Sequence, residues 1–138
     1  MSYKFLDHAT DAIIEVTAKN LKEAFSVTAD AVIDLTLDQD GVEEKDQKVF
    51  SAKGKDLRYL LFSWLEEIPF ILITEGFAIS RIEFDIIQNE EYKINAIAYG
   101  EPLDVKKHNF KVEIKAPTFY DMEIRQENGV YMRFLLDL

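Results

Sequence analysis

Residues 5–18 read FLDHATDAIIEVTA. From Ala12 onward the pattern has a period of two. Ala12, Ile14, Val16 and Ala18 fall on one side, and Ile13, Glu15, Thr17 and Lys19 on the other. Such alternation predicts a strand over 12–18 with one buried face. Asp11 shares the parity of the more polar side. Asp7, His8 and Asp11 crowd the mouth of this strand, where burying charge costs free energy unless something compensates. A helix cap, a water-exposed loop or a bound cation would each do so.

Working outward, residues 3–6 read as a short strand before this one. Asn20 then opens a helix, with Glu23 three residues on as its capping-box partner. Leu21, Ala24, Phe25, Thr28, Val32 and Leu35 form its mostly apolar stripe, and the pattern fades near Leu37. Residues 47–52 predict a strand ended by Gly54. Asp56 caps a second helix whose buried stripe is Leu57, Leu60, Leu61, Trp64, Leu65 and Ile68. Pro69 removes a hydrogen bond to the Leu65 carbonyl, a change worth roughly 3 kcal/mol inside a helix, so a kink or break is expected there. Gly76 is the expected stop.

Strands follow at 77–86, 92–99, 110–116 and 121–125. Glu127-Asn128-Gly129 turns the chain into a last strand, 130–138. There Val130, Met132, Phe134, Leu136 and Leu138 share one face, and Tyr131, Arg133, Leu135 and Asp137 the other. The expected architecture is one α+β domain over residues 1–138. It is a two-layer sandwich, a largely antiparallel or mixed sheet with two long helices packed on one face.

Composition narrows the function. The 138 residues are 48% hydrophobic, enough for one sizeable core and too many for disorder. No apolar run reaches bilayer length, and the first residues, MSYKFLDHATD, lack the apolar core of a secretory signal. Cysteine is absent, which removes disulfides, thiolate metal sites and cysteine nucleophiles and suits a reducing cytoplasm. The net charge of −10 sets a repulsive field against a phosphate backbone, so neither direct nucleic-acid binding nor membrane attachment is expected. A basic protein partner or a metal cation suits this surface, and so does plain solubility.

Motifs narrow it further. Thr36-Leu37-Asp38-Gln39-Asp40-Gly41 imitates the start of an EF-hand loop, but its twelfth position is Gln47 where a bidentate Glu is required. It reads as a solvated turn. With five glycines there is no Walker loop or dinucleotide turn, and there is no Gly-x-Ser-x-Gly elbow or His-Glu-x-x-His helix. Nothing offers a nucleophile–base pair, which favours an accessory protein over an enzyme. His8 could ligate a metal or shuttle a proton, but a lone histidine is more often a surface or satisfied one, and His108 is as ambiguous. Lys115 could meet an anion or snorkel at a sheet edge.

One constellation spans the chain. Asp11 sits at the mouth of an early strand, Asp137 is penultimate in the last, and Leu138 would add an α-carboxylate. If those strands are neighbours, three carboxylates meet, and their repulsion calls for a hard cation such as Ca²⁺, Mg²⁺ or Mn²⁺. A hydrated, frayed terminus and a capping Asp11 account for the same residues without one.

Five stretches together resemble the archease family over nearly the whole chain. They are Phe5-Leu6-Asp7-His8-Ala9-Thr10-Asp11, the helix opening Leu21-Lys22-Glu23-Ala24-Phe25, and Asp56-Leu57 through Leu60-Leu61 and Trp64-Leu65 to Thr74-Glu75-Gly76. Gly100-Glu101 with Asp104 and His108 is the fourth, and the endings Lys115-Ala116 to Met122-Glu123 and Asp137-Leu138 are the fifth. The chain departs from the family pattern in three places. Ala9-Thr10 stands exchanged for Thr-Ala, Pro69 interrupts a helix, and Phe119-Tyr120 replaces a common Tyr-His.

The resemblance implies an accessory factor that is not itself catalytic. It would assist a GTP-dependent tRNA-splicing RNA ligase joining 3′-phosphate or cyclic-phosphate ends to 5′-hydroxyls, by promoting guanylylation and multiple turnover. It also implies a divalent-metal site, with calcium the family's ion and Mg²⁺ or Mn²⁺ as alternatives, at Asp11, Asp137 and Leu138. Asp7, His8 and Lys115 would be positions supporting that site or meeting the partner. Two other classes use the same residues differently. A small metal-dependent phosphoester hydrolase would activate water with them, and a metal-free chaperone-like binding module would not need them.

Overall fold

Local signals place both helices. Asn20 caps α1 (Leu21–Thr36), its side-chain oxygen accepting the Glu23 N–H at 2.9 Å. Glu23 reaches back to accept the Lys19 N–H at 3.2 Å. Asp56 caps α2 (Leu57–Pro69) by accepting the Tyr59 N–H at 3.0 Å. Pro69 ends the regular helix, as its missing N–H requires. The chain continues as one wide turn, Phe70–Thr74, closed by the Glu75 N–H to the Phe70 carbonyl at 3.0 Å. Gly76, at φ 61°, takes the left-handed conformation that stops it.

The computed structural model describes residues 1–6 and 11–138. Its strands are β1 (Ser2–Leu6), β2 (Asp11–Ala18), β3 (Asp46–Gly54), β4 (Phe77–Gln88), β5 (Tyr92–Pro102), β6 (Ala116–Arg125) and β7 (Val130–Asp137). They form two antiparallel sheets, β1-β2-β7-β6 and β3-β5-β4. This is the α+β class the alternation and the caps imply, with the strands divided between two sheets. Each sheet turns its apolar positions inward, and each helix touches both sheets. Ile14, Val16, Met132 and Phe134 are wholly buried in the four-stranded sheet.

Trp64 ties the second sheet to the helices. It is fully buried on α2, and its indole N–H donates to the Phe25 carbonyl of α1 at 3.0 Å. Its ring stacks on Phe50 of β3 at 5.6 Å and meets Phe84 of β4 at 5.1 Å.

One expected strand is absent. Residues 110–115 are irregular, because their backbone groups bond elsewhere. The Lys111 N–H goes to the Thr36 carbonyl at the end of α1, and the Lys115 N–H to the Asp137 carbonyl of β7. The strand expected at 121–125 is the second half of a longer β6, whose pairing with β7 is interrupted between Thr118 and Glu123. The solvated turn at 36–41 holds: the Thr36 hydroxyl donates within α1, and Asp38 is bound by Asn109 and Lys111.

Gly100 lies between both neighbours of β5, where a Cβ would sit 1.8 Å from the Ala78 carbonyl oxygen. Gly100→Ala is therefore expected to destabilise by about 3 kcal/mol or more. Gly41→Ala, whose Cβ would meet only ordinary contact at 3.8 Å, should stay within about 0.5 kcal/mol of wild type. Urea titrations of both proteins check the contrast.

Candidate functional site

The ends of β2 and β7 create the site. Their antiparallel register runs from Ala18 opposite Val130 to Asp11 opposite Asp137. Residues directly opposed in such a ladder project from the same face, with Cβ atoms about 5 Å apart. The two aspartates thus face one another at one end of the sheet. Asp137 is exposed and Asp11 half-buried. Among the described residues no hydrogen bond or ion pair engages the Asp137 carboxylate. Two like charges directly opposed on a sheet repel one another, and a cation between them would relieve that repulsion.

The donor set suits a hard ion. Both candidates are carboxylates, and the chain has no cysteine to select a softer metal. Among the described residues no three His, Cys, Asp or Glu side chains converge, so a third donor would have to come from Leu138 or from outside them. Asp7 and His8, expected to support the site, lie outside the described residues.

Lys115 is beside the pair. Its N–H donates to the Asp137 carbonyl at 2.8 Å, and Ala116 pairs with Asp137 across β6 and β7. Its side chain is exposed, on an irregular segment rather than the expected strand. A surface cavity of about 380 Å³ opens there, between the end of α2 and residues 113–117, with Glu66, Phe70, Glu113 and Lys115 on its walls.

His108 belongs to a different cluster. It is fully buried, and its Nδ1 accepts the Asp104 N–H at 2.9 Å, so the ring proton sits on Nε2 and is donated to Glu101 at 2.9 Å. The Glu101 carboxylate also accepts the Glu43 N–H at 2.9 Å and the Lys107 ammonium at 3.0 Å. These donors, the Glu43 N–H foremost, hold its carboxyl down to about 2, well below the ordinary 4.5. With the ring closed to solvent, the cluster latches residues 101–108 and the Glu43 loop together. His108 is a satisfied structural histidine.

A group of residues that sequence patterning did not single out as a site lies where β6 leaves its ladder. Phe119 stacks on Phe62 of α2 at 4.2 Å and touches Tyr59 at 5.0 Å. Phe119-Tyr120 was visible only as a departure from the resembling family. Nothing in a period-two pattern tells which strand residue swings onto a helix.

Because Glu101 is held low, its stabilising contribution is complete above the ordinary carboxylate value and is lost as pH falls from there toward about 2. Thermal melts between pH 7 and pH 2 should show this loss in wild type. Glu101→Gln should lower Tm at neutral pH and flatten the acid limb.

A family model described as "Archease protein family (MTH1598/TM1083)" matches residues 3–138. The archease of Pyrobaculum islandicum is 38% identical over 141 residues, covering 100% of this chain and 96% of that protein. The archease of Methanopyrus kandleri is 34% identical over 140 residues, covering 100% of both. The solution structure of Methanobacterium thermoautotrophicum protein 1598 superimposes with a TM-score of 0.78 at 28% identity, covering 99% of each chain.

Proposed function

The chain belongs to the archease family, and from that membership we propose that it is an accessory protein of a GTP-dependent tRNA-splicing RNA ligase. It promotes guanylylation of the ligase and sustains multiple turnover, without itself being catalytic. Such a ligase binds RNA and GTP, both polyanions, so its active cleft must be electropositive. A protein of net charge −10 is drawn toward that cleft once it comes within roughly a Debye length. The Asp11–Asp137 end is the part of the surface that enters.

The observation that carries this reading is the register setting Asp11 opposite Asp137. Asp11 and Asp137, with Leu138 as third donor, hold a divalent ion, Ca²⁺ in first place with Mg²⁺ or Mn²⁺ as alternatives. When bound, the ion cancels the carboxylate repulsion and offers positive charge to phosphoryl oxygens. The chain's own residues do the rest. Core pairing fixes the two carboxylates in place, and Lys115 supplies a cation at the rim for an anionic group. No described helix is long and apolar enough to cross a membrane, and a chain without cysteine suits action in the cytoplasm.

Two measurements test the reading. With limiting ligase, wild-type protein should raise multiple-turnover RNA joining and GTP-dependent guanylylation. Asp11→Ala and Asp137→Ala should each lower that stimulation by about tenfold or more, equivalent to at least about 1.4 kcal/mol. Calorimetric titration of the isolated protein with Ca²⁺ should show binding that Asp137→Ala abolishes. Wild-type stimulation by both variants would sink the proposal.

A further inference from the structure

Asp137 is held differently on its two sides. Its carbonyl oxygen accepts the Lys115 N–H at 2.8 Å, so it points toward residues 115–116 and away from β2. In an extended strand the N–H and C=O of one residue point the same way, and an antiparallel ladder alternates hydrogen-bonded pairs with pairs that exchange no bond. Asp11 opposite Asp137 is therefore a pair of the second kind. Such pairs bring Cα atoms to about 4.5 Å, against about 5.5 Å in the bonded kind, and their side chains lie closer. The ladder bonds between β2 and β7 fall instead at Ala12 opposite Leu136, one residue back.

The main chain of Asp137 is fastened from the other side, by the irregular segment before β6. Lys115 donates to its carbonyl and Ala116 is its ladder partner, so two residues of one strand face one of the other. That is the two-against-one count of a β-bulge, a device that aims a side chain or ends a pairing beside a site.

The segment is itself tied down along its length. At its start the His108 carbonyl accepts the Asp38 N–H at 2.8 Å, and the Asn109 side chain donates to the Asp38 carboxylate at 3.0 Å. The Lys111 N–H reaches the Thr36 carbonyl at 2.7 Å. The Lys111 ammonium meets the Asp34 carbonyl at 3.0 Å and the Asp38 carboxylate at 3.1 Å. Asp34 and Thr36 are in the last turn of α1, where a cation is favoured. Ile114 is buried in the core, next to the bulge.

We propose that residues 109–115 are a strap that positions the Asp137 carboxylate for a divalent ion, and that the Lys115 N–H is its point of action. The inference rests on the metal reading above and adds to it what holds one of the ligands. Core packing sets the register of β2 and β7, and the strap keeps the end of β7 from peeling out of that register. The strap begins at His108, so the buried Glu101–His108 cluster is its fixed end. Lys115 is a positioning residue here and acts through its main chain. Without its N–H, ion binding would have to order the end of the strand first, and affinity would fall.

The test is Ca²⁺ titration of the isolated protein with two substitutions at one position. Lys115→Ala keeps the N–H and reads whatever the ammonium contributes. Lys115→Pro also removes the N–H, and its Kd for Ca²⁺ should be about tenfold or more above that of Lys115→Ala. Proline also constrains the residue before it, so hydrogen exchange in wild type supplies a reading that needs no variant. Saturating Ca²⁺ should slow exchange of the Lys115 amide several-fold, and more than that of the Lys111 amide at the other end of the strap. A purely structural strap would leave this exchange indifferent to Ca²⁺. A folded Lys115→Pro that binds Ca²⁺ as well as Lys115→Ala overturns the strap and leaves the metal reading standing. So does a Lys115 amide that exchanges equally with and without Ca²⁺ while the wild type binds the ion. Absence of Ca²⁺ binding by wild type would remove the metal reading, and this proposal with it.

Discussion

The pairing of β2 with β7 is the interaction on which the molecule depends. It joins segments more than a hundred residues apart, from Asp11–Asp137 to Ala18–Val130. Closing a loop of that length costs on the order of 4 kcal/mol in chain entropy. Each fully buried aliphatic or aromatic side chain returns about 1.5–3 kcal/mol. Ile14, Val16, Met132, Phe134 and Leu136 are all wholly buried on this pair, so burial outweighs closure with margin to spare. The same strands carry β1 and β6 on their outer sides, with α1 lying against them and α2 against β6. Without this pairing neither the four-stranded sheet nor the floor under the helices exists.

Local chemistry made the elements legible. Period-two alternation marked β2 and β7, and side-chain caps marked the starts of α1 and α2 within a residue. Asn128 and Gly129, both at positive φ, mark the turn before β7 as their sequence suggests. Partnership was not legible in this way. A period of two tells which face a residue occupies and is silent on which strand lies beside it. The meeting of Asp11 with Asp137 therefore came from family resemblance alone, since spacing could not choose between a shared ion and two hydrated ends. Residues 110–115 misled for a related reason. Their apolar alternation is real, but Lys111 and Lys115 bond to α1 and β7 singly and no ladder forms. His108 was ambiguous because Glu101, its partner, lies on the far side of a loop.

Carboxylates in this protein divide into two kinds, and the division separates structure from proposed function. Glu101 is enclosed by a main-chain N–H, an imidazole and an ammonium, so its oxygens are already engaged within the fold. Asp137 stands exposed at a strand end, facing another aspartate in register. The first arrangement lowers the free energy of the fold. The second sets two like charges against one another, and like charges stay opposed where the surrounding structure determines it.

That determination comes from the core. A shift of one residue between β2 and β7 would turn one of the two strands over, sending either Ile14 or Phe134 toward solvent and bringing Glu15 or Arg133 inside. Several kcal/mol of lost burial forbid it. Asp11 and Asp137 are therefore held opposed by the packing of residues far from them. An acidic site positioned this way needs no rearrangement when a cation or a basic partner arrives, so little binding free energy is consumed in ordering it. Preorganisation at the tip is inherited from apolar packing in the middle of the sheet.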